Sequence, residues 1–379
     1  MYFNSQSVHI MYKKFTLILT CILCFSLLAV SCKKKEQTEK KVTIITEEEK
    51  PSALKDFIQK VETSIHDGDA TFLNNAVDID ALQMVVSDRG NSSALTTQDG
   101  INILHDNCNF GDYLCDIEES GGSFRFDTTY VKDGQHHAVL RTYDSTGNCQ
   151  FRDLLIGFKN GKVLIEDAFL YSINSNLSDV IVSETMLNFF ITNEKPTEEA
   201  RNMIAVIASC ANGNYDAMWQ ILNAQKQGLI MQFPSSFYQF YTIGMYECAT
   251  DFQGTLESLR TDGADKRFIQ YHNLCYAIRN DDAEATLQCI SELINHTGHD
   301  PIYNVLYAKV LTNLGRYQDA LEAYQQAELD MECIWDIWKG KLLCYKKLGD
   351  TEGFNNCLQA GKSLYFLTEE EIEEEAKKF

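Results

Sequence analysis

Basic side chains are scarce in this sequence. The 379 residues contain 33 lysines and arginines against 54 aspartates and glutamates, a formal net charge of −21. Nucleic-acid binding requires positive charge to neutralise phosphates, so this balance argues against that class of function. Thirteen cysteines are also too few for a disulfide scaffold, while 45% hydrophobic residues exclude wholesale disorder. The length predicts two or three domains.

Several catalytic and nucleotide-binding motifs are absent from the sequence as well. It contains no G-x-S-x-G elbow, no G-x-x-x-x-G-K phosphate loop and no G-x-G-x-x-G fingerprint. No C-x-x-C pair follows Cys32. We therefore expect noncovalent binding rather than catalysis, with no cofactor and no metal.

An N-terminal targeting segment is the clearest local signal. Lys13 and Lys14 precede sixteen uncharged, mostly apolar residues at 15–30. This run is shorter than the roughly 20 residues that a membrane-spanning helix needs. A basic start, a short apolar core and small residues before a cysteine are typical of a secretory signal, which we place at residues 1–31.

The end of this segment, residues 28–32 (Leu-Ala-Val-Ser-Cys), resembles the lipobox of bacterial lipoproteins. The resemblance implies that Cys32 is diacylated and becomes the N-terminus after cleavage. Ala29 departs from the family pattern, which prefers leucine three residues before the cysteine. An ordinary signal peptide or an uncleaved anchor is the alternative.

Residues 32–51 are charged and carry no apolar helical stripe, which predicts a flexible tether after the lipid. Three lysines, Lys33–Lys35, follow the cysteine directly. The surface-export signal of some lipoproteins is acidic at this point. A basic segment favours a periplasm-facing protein, which we expect on the outer membrane.

The hydrophobic pattern of residues 52–180 predicts an α+β domain. Apolar residues at helical spacing form one buried stripe, which contains Leu54, Phe57, Ile58, Val61 and Ile65. The pattern then changes to four β-rich runs at 123–131, 135–144, 149–158 and 163–173, separated by hairpin signals such as Asn160-Gly161. The prediction is helices packed on a four-stranded antiparallel meander. This element order resembles the nuclear-transport-factor-2-like and cystatin-like folds, in the first of which the interior holds a small ligand or is plain core.

A connector at 181–195 leads to an all-α region. Its pattern is clearest in one unit, formed by Tyr307, Ala308, Leu311, Leu314, Gly315, Tyr317, Ala320, Tyr324 and Ala327. This spacing resembles the tetratricopeptide repeat (TPR), and a second Leu-Gly turn follows 34 residues later at Gly349. Phe354 and Gly361 replace the two alanines of the second unit. We expect about five TPR-like hairpins over 196–366 and an acidic tail at 367–379.

The TPR resemblance implies a concave groove that binds protein or peptide. Its line on the first helix contains Ile302, Val305, Lys309, Thr312 and Asn313, and the next helix contributes Asp336, Lys339, Leu343, Lys346 and Lys347. Four lysines across these two neighbouring helices are suited to an acidic segment or a carboxylate terminus of a partner. The alternative is a solvated face that balances nearby acids.

The hairpin at Asn160-Gly161 also predicts a side-chain pair. If Lys159 faces Lys162, then Ile156 faces Ile165 and Leu154 faces Asp167, with Arg152 diagonally adjacent. We expect a partly buried structural ion pair between Arg152 and Asp167. The alternative is an aspartate general base in a pocket, which a neighbouring arginine disfavours because it lowers the carboxylate pKa.

Histidines give no strong metal signal. His136 and His137 are consecutive on a predicted strand, so they point to opposite faces and cannot share one metal. His296, His299 and Asp300 form an H-x-x-H-D cluster in a turn, where we expect solvent-exposed histidines rather than a metal site.

The expected periplasm-facing location places the cysteines of the mature chain in an oxidising compartment. Cys108 and Cys115 lie seven residues apart in a loop-like stretch, and Cys344 and Cys357 lie on the two helices of the last hairpin. Each pair is a candidate disulfide. The other cysteines of the helical region are expected to be small core residues.

Taken together, the sequence predicts a lipid-anchored, periplasm-facing protein-binding scaffold. The main alternative is a small-ligand binder or enzyme that uses the interior of the α+β domain. A third possibility is self-association through the repeats.

Overall fold

A computed structural model describes residues 45–89, 98–192, 196–330, 335–365 and 368–378. The predicted signal segment and Cys32 lie outside these ranges. Within them, no helix combines the length and the apolar character needed to cross a membrane.

Five helices precede the sheet. They are α1 (Lys50–His66), α2 (Thr71–Asn74), α3 (Ile79–Arg89), α4 (Gln98–Asn107) and α5 (Phe110–Glu119). The predicted stripe of α1 is buried at Leu54, Phe57, Val61 and Ile65. The helix begins two residues inside the predicted tether.

Five antiparallel strands follow, in the spatial order of the chain. They are β1 (Ser123–Lys132), β2 (Gln135–Tyr143), β3 (Cys149–Lys159), β4 (Lys162–Leu170) and β5 (Ser175–Asn176). Asp133 and Gly134, and likewise Asn160 and Gly161, have positive φ, the geometry that matches the twist of a tight hairpin. The prediction of four strands was one short, because the chain turns back after Leu170 and adds the two-residue β5.

The β3–β4 register agrees with the prediction only near the turn. Phe158 pairs with Val163 and Ile156 with Ile165, but a bulge then shifts the register. Beyond it Leu155, not Leu154, pairs with Asp167. An extra residue in one strand moves all later side chains relative to their partners, which sequence alternation alone does not reveal.

One face of the sheet, the first face, packs on the preceding helices. Ala138, Leu140, Leu154 and Ile165 from the strands are buried together with residues of α1, α3 and α5. Helix α6 (Leu177–Thr192) completes this core through Leu177 and Ile181. The predicted connector at 181–195 is therefore largely helix, because its apolar side chains cover this layer.

Ten helices of the described residues fall into five consecutive pairs. They are α7 (Glu198–Ala211) with α8 (Tyr215–Ala224), α10 (Pro234–Cys248) with α11 (Phe252–Thr261), α12 (Lys266–Arg279) with α13 (Ala283–Thr297), α14 (Ile302–Asn313) with α15 (Tyr317–Glu328), and α16 (Trp335–Leu348) with α17 (Thr351–Tyr365). A short helix, α9 (Lys226–Gln232), separates the first two pairs. Gly213, Gly315 and Gly349 turn the chain with positive φ.

The acidic C-terminal segment is ordered as helix α18 (Glu369–Lys378). Ile372 is buried in a small core with Trp338, Leu342 and Leu358. One apolar side chain thus attaches this acidic helix to the last helix pair.

The opposite face of the sheet, the second face, packs on the helix pairs. Val139 and Phe151 share one core with Ile302, Val305 and other residues of α12–α16. The sheet is therefore enclosed between two helical layers, the preceding helices with α6 on the first face and α12–α16 on the second face.

Candidate functional site

The predicted groove is filled by the sheet of the same chain. Ile302 and Val305 have no exposed surface, and they belong to the core that contains Val139 and Phe151. An apolar surface buried this completely is not available to a second protein in this conformation. The expectation of an open groove is wrong at its deepest positions, because the sheet supplies the apolar surface that a peptide would otherwise provide.

Lys309 contacts the sheet rather than a partner. Its Nζ lies 2.7 Å from the Tyr143 hydroxyl and 2.6 Å from Asp336 Oδ2. Tyr143 in turn donates its hydroxyl hydrogen to Asp336. These three groups, from β2, α14 and α16, hold the last helix pairs against the sheet.

Thr312 and Asn313 hydrogen bond within the helical region. The Thr312 hydroxyl donates to the Ala308 carbonyl at 2.7 Å, one turn earlier. The Asn313 amide donates to Asp281 Oδ1 at 2.7 Å, which joins two neighbouring helix pairs.

The α16 part of the predicted groove is more accessible. Leu343 is half-buried, and Lys339 lies over the Trp335 ring at 4.7 Å from its centre. Lys346 and Lys347 are exposed. Basic charge therefore remains on the outside of the last helix pair.

The turn before α14 contains a buried ionic cluster. Arg141 Nε lies 2.7 Å from Asp300 Oδ2, with the two side chains 1% and 0% exposed. Burial opposes ionisation of Asp300, but the Arg141 charge and hydrogen bonds hold its pKa below the ordinary value. Asp300 thus belongs to this junction and not to an exposed metal site.

Asp127 adds a second carboxyl group to this cluster. Neither of its oxygens receives a hydrogen bond from an N–H or O–H group of the described residues. Burial, together with the neighbouring Asp300 carboxylate, raises the Asp127 pKa far above its usual value. The charges of Arg141 and of Arg125, whose Nε lies 3.4 Å from Asp127 Oδ1, oppose this rise.

The two turn histidines differ in environment. His299 is exposed as expected, whereas His296 is half-buried and its Nε2 has no hydrogen-bond partner among the described residues. Burial, and then the charge of Lys266, lowers the His296 pKa. Within the described ranges, no three His, Cys, Asp or Glu side chains are arranged to hold a metal ion.

The expected ion pair between Arg152 and Asp167 does not form. Arg152 donates to Thr142 Oγ1 at 3.0 Å and stacks over the Tyr113 ring. Asp167 accepts hydrogen bonds from the Ser178 hydroxyl at 2.6 Å and the Ser178 amide at 3.1 Å, at the first turn of α6. The bulge separates the two side chains, and Asp167 stabilises a helix N-terminus instead.

Asp153 is a buried carboxylate that the motif analysis missed. It lies on the second face of the sheet, where Tyr130 and Arg267 donate to Oδ2. His137 Nδ1 lies 3.0 Å from Oδ1. An aspartate within an apolar strand is the sequence signal for such a site, since a buried carboxylate needs several donors.

His137 and His136 point to opposite faces, as predicted. His136 meets the edge of Phe158, whereas His137 stacks on Tyr130 with ring centres 4.7 Å apart. Because Asp153 accepts from Nδ1–H, a neutral His137 carries a hydrogen-bond acceptor at Nε2. The Asp153–His137 pair thus fixes the ring orientation.

Arg267 closes the same site from the start of α12. Its guanidinium lies 3.9 Å from the centre of the Phe169 ring and pairs with both Asp153 and Asp265. Burial would lower the Arg267 pKa, but the hydrogen bonds and charge of these carboxylates raise it.

These groups surround an open cleft of about 620 Å³. We call it the sheet cleft, and its lining comes from α3, the four long strands, β5 and Arg267: Asp80, Ala81, Met84, Val85, Lys132, Gln135, His137, Asp153, Leu155, Lys159, Glu166, Asp167, Ala168, Phe169, Asn176 and Arg267. The lining contains no serine, threonine or cysteine, so a side-chain hydroxyl or thiol nucleophile is missing from this set.

The layer between the first face and the helices is filled with apolar side chains. Leu140, Leu154, Ile156 and Val61 are among its buried residues, none more than 4% exposed. This layer is a filled apolar core and not a ligand cavity. The sheet cleft lies elsewhere and is lined partly by the second face.

Neither of the two candidate disulfides is present. No disulfide joins the nine cysteines of the described residues. Cys108 and Cys357 are buried, and burial raises the thiol pKa to about 12 and about 11 respectively. Cys115 lies within α5 rather than in a loop, which alters the geometry that the spacing suggests.

Comparison of the chain with family models, with curated proteins and with solved structures finds no match.

Proposed function

We propose that this chain is a noncovalent binding protein whose ligand site is the sheet cleft. The observation that carries the proposal is an open volume of about 620 Å³ lined by aromatic, apolar and oriented polar groups. Concave sites that combine an apolar wall with a few fixed polar groups are the usual places for small ligands.

The polar groups of the sheet cleft are held before any ligand arrives. His137 and Arg267 of the lining bind the buried Asp153, which Tyr130 holds from outside the lining, and Arg267 also stacks on Phe169. Such preorganisation lowers the entropy that binding would otherwise cost. The lining residues have no hydroxyl or thiol nucleophile, which favours recognition over covalent catalysis.

The test uses the full-length lipidated protein in detergent. We expect its thermal midpoint to rise with at least one of three six-carbon probes: 1-hexylamine, 1-hexanol or hexanoate. Ala81→Phe places a ring in the sheet cleft and should abolish the rise, whereas Ala211→Phe, on an exposed helix end, should preserve it. An equal rise in both variants would refute binding at this cleft.

We also propose that the chain is anchored to the periplasmic side of the outer membrane through Cys32. The support is the lipobox-like segment with its basic continuation. Several acyl chains hold a protein firmly at a membrane. Metabolic labelling with an alkyne fatty acid should modify the wild type but not Cys32→Ser, and equal labelling of both would contradict the proposal.

A second candidate function is a protein scaffold built on TPR-like helix pairs. Its support is the Leu-Gly turns at Gly315 and Gly349 and the exposed basic pair Lys346 and Lys347. Because the inner groove is filled, an acidic partner would bind the outside of the last pair.

Cross-linking with mass spectrometry in native envelopes tests this candidate. One acidic protein, linked through lysines that both variants retain, should be lost in the double variant Lys346→Glu/Lys347→Glu and persist in Lys55→Glu/Lys162→Glu, where both lysines are also exposed. Links to a second copy of this chain would indicate self-association instead. Links that survive the first double variant would contradict this surface.

A further inference from the structure

Glu166 occupies an unusual place in the sheet cleft. It belongs to the bulge of β4, between Ile165, which pairs with Ile156, and Asp167, which pairs with Leu155. Its side chain lies over Gly157, where an added Cβ would be 2.1 Å from Glu166 Oε1. Both the bulge and the glycine are therefore needed to bring this carboxyl group onto the sheet surface.

The Glu166 carboxyl group is bound directly to no cation of the described residues. It forms no hydrogen bond and no ion pair within the described residues, although it is half-buried and lines the cleft. Lys159, a cation whose charge acts on Glu166, binds Asp78 at 3.1 Å instead. Burial and the negative charge of Asp78 raise the Glu166 pKa, and the charge of Lys159 offsets this rise only in part. A partly desolvated carboxylate without a directly bound cation is unfavourable, so a positive group placed on it would be stabilised.

The remaining charges of the cleft are already engaged or lie in solvent. Arg267 is held by Asp153 and Asp265, so an anionic ligand would have to displace one of them. Asp167 is engaged by Ser178. Lys132 is exposed near the β1–β2 turn. The chain as a whole carries a net charge of −21, which attracts cations over a distance.

Apolar groups form a separate part of the same lining. Leu155, Phe169, Ala81 and Val85 all face the cleft. A bare metal ion would leave this surface exposed, and the described residues supply no set of three metal ligands. An organic cation would use both the carboxylate and the apolar wall.

We propose that the sheet cleft binds an organic amine, with its ammonium group on Glu166 and its apolar stem on Leu155 and Phe169. This inference rests on the proposed function of the cleft and adds the class of ligand. The His137 Nε2 acceptor is a second hydrogen-bonding position for a donor group on a longer ligand.

Calorimetric titration with 1-hexylamine, 1-hexanol and hexanoate tests the charge preference. We expect 1-hexylamine to bind about tenfold more tightly than 1-hexanol, because a charged hydrogen bond adds to the same apolar contact. Methylamine, which lacks the stem, should bind at least tenfold more weakly than 1-hexylamine. Equal affinities for 1-hexylamine and 1-hexanol would overturn the inference.

Glu166→Gln keeps the shape of the side chain and removes its charge. It should weaken 1-hexylamine binding about tenfold and leave 1-hexanol unchanged. Glu284→Gln changes an exposed glutamate on α13 and should alter neither affinity. If Glu166→Gln retains full amine affinity, the inference fails.

The two proposals fail in different ways. In one outcome, 1-hexanol or hexanoate binds, Ala81→Phe abolishes that binding, and 1-hexylamine is not preferred. The proposed function of the cleft would then stand, and the proposal of an amine ligand would fail. Amine binding that persists in Ala81→Phe would place the amine on the acidic exterior, and both proposals would fall.

Discussion

Arg141 and Asp300 form a fully buried ion pair although 159 positions separate them in the chain. The arginine comes from β2 and the aspartate from the turn before α14, so the pair joins the sheet to the helix pairs. Asp300 Oδ1 also accepts the Ile302 amide at 2.6 Å, and Arg141 donates to the Ser123 hydroxyl at 2.6 Å. The filled groove is therefore held by specific polar contacts as well as by apolar packing.

Removing the arginine should strongly destabilise the protein. Arg141→Met leaves the buried Asp300 carboxylate without its cation, and we expect a loss of about 3–5 kcal/mol in the free energy of unfolding. Urea denaturation measures it. Arg316→Met, which breaks an exposed pair with Asp319, should cost less than about 1 kcal/mol. Similar losses in the two variants would contradict the role of Arg141.

The raised pKa of Asp127 predicts a pH effect on stability. Burial and the Asp300 charge raise the folded-state pKa of Asp127 above its ordinary 3.8. Above that ordinary value the unfolded chain releases this proton while the folded chain retains it. The protonated Asp127 therefore contributes its full stabilisation at low pH. As the pH rises from the ordinary pKa to the folded-state pKa, this stabilisation is lost by at most about 1.4 kcal/mol per pH unit.

Asp127→Asn removes the pH dependence that comes from Asp127, because the asparagine side chain does not titrate and its amide can donate to Asp300 at every pH. The difference in unfolding free energy between this variant and the wild type should change steadily in favour of the variant from pH 5 to pH 8. Urea denaturation at several pH values measures the difference. Parallel curves would show that Asp127 is ionised in the folded protein.

Thiol chemistry distinguishes the structure from the disulfides that the spacing suggests. Burial raises the pKa of Cys275 and Cys357 to about 11, and the thiolate is the reactive form. We expect slow iodoacetamide labelling of these residues in the folded protein and rapid labelling in urea without reductant. Mass spectrometry reads each site. A Cys108–Cys115 or Cys344–Cys357 peptide pair that needs reductant before labelling would contradict the structure.

Gly361 replaces an expected repeat alanine for a steric reason. A Cβ at this position would lie 2.5 Å from Trp338 Cζ2, within the core of the last helix pair. Gly361→Ala should therefore lower the free energy of unfolding by about 1–3 kcal/mol despite its better helix propensity. Gly228→Ala, in α9 with its nearest neighbour at 3.3 Å, is the matched control and should be neutral or stabilising. Denaturation midpoints that rise in both variants would contradict the crowding at Trp338.

Local signals in the sequence located most elements. The stripe of α1, the hairpin turns at Asp133-Gly134 and Asn160-Gly161, and the opposite orientation of His136 and His137 all follow from spacing within a few residues. The β4 bulge was missed because nothing in the alternation of Glu166 and Asp167 reveals an extra residue. The one extra residue in β4 changes the register, so Arg152 and Asp167 have partners other than the predicted ones.

The candidate site could not be predicted from such local signals. Asp153 meets Arg267 across 114 positions, and Lys309 meets Tyr143 across 166, so no short motif contains either contact. Helical spacing places the predicted groove residues of α14 on one helix, but their burial depends on what covers them.

The sequence by itself determined the stripe of α1, the four long strands, the tight turns and the strong excess of acid, because each depends on composition or on neighbours within one or two turns. Tertiary structure decided that the helix pairs close on the sheet, that their inner surface is filled and that an open cleft remains beside Glu166. These outcomes depend on how distant apolar faces and buried charges are satisfied together, and local propensity carries no information about that pairing.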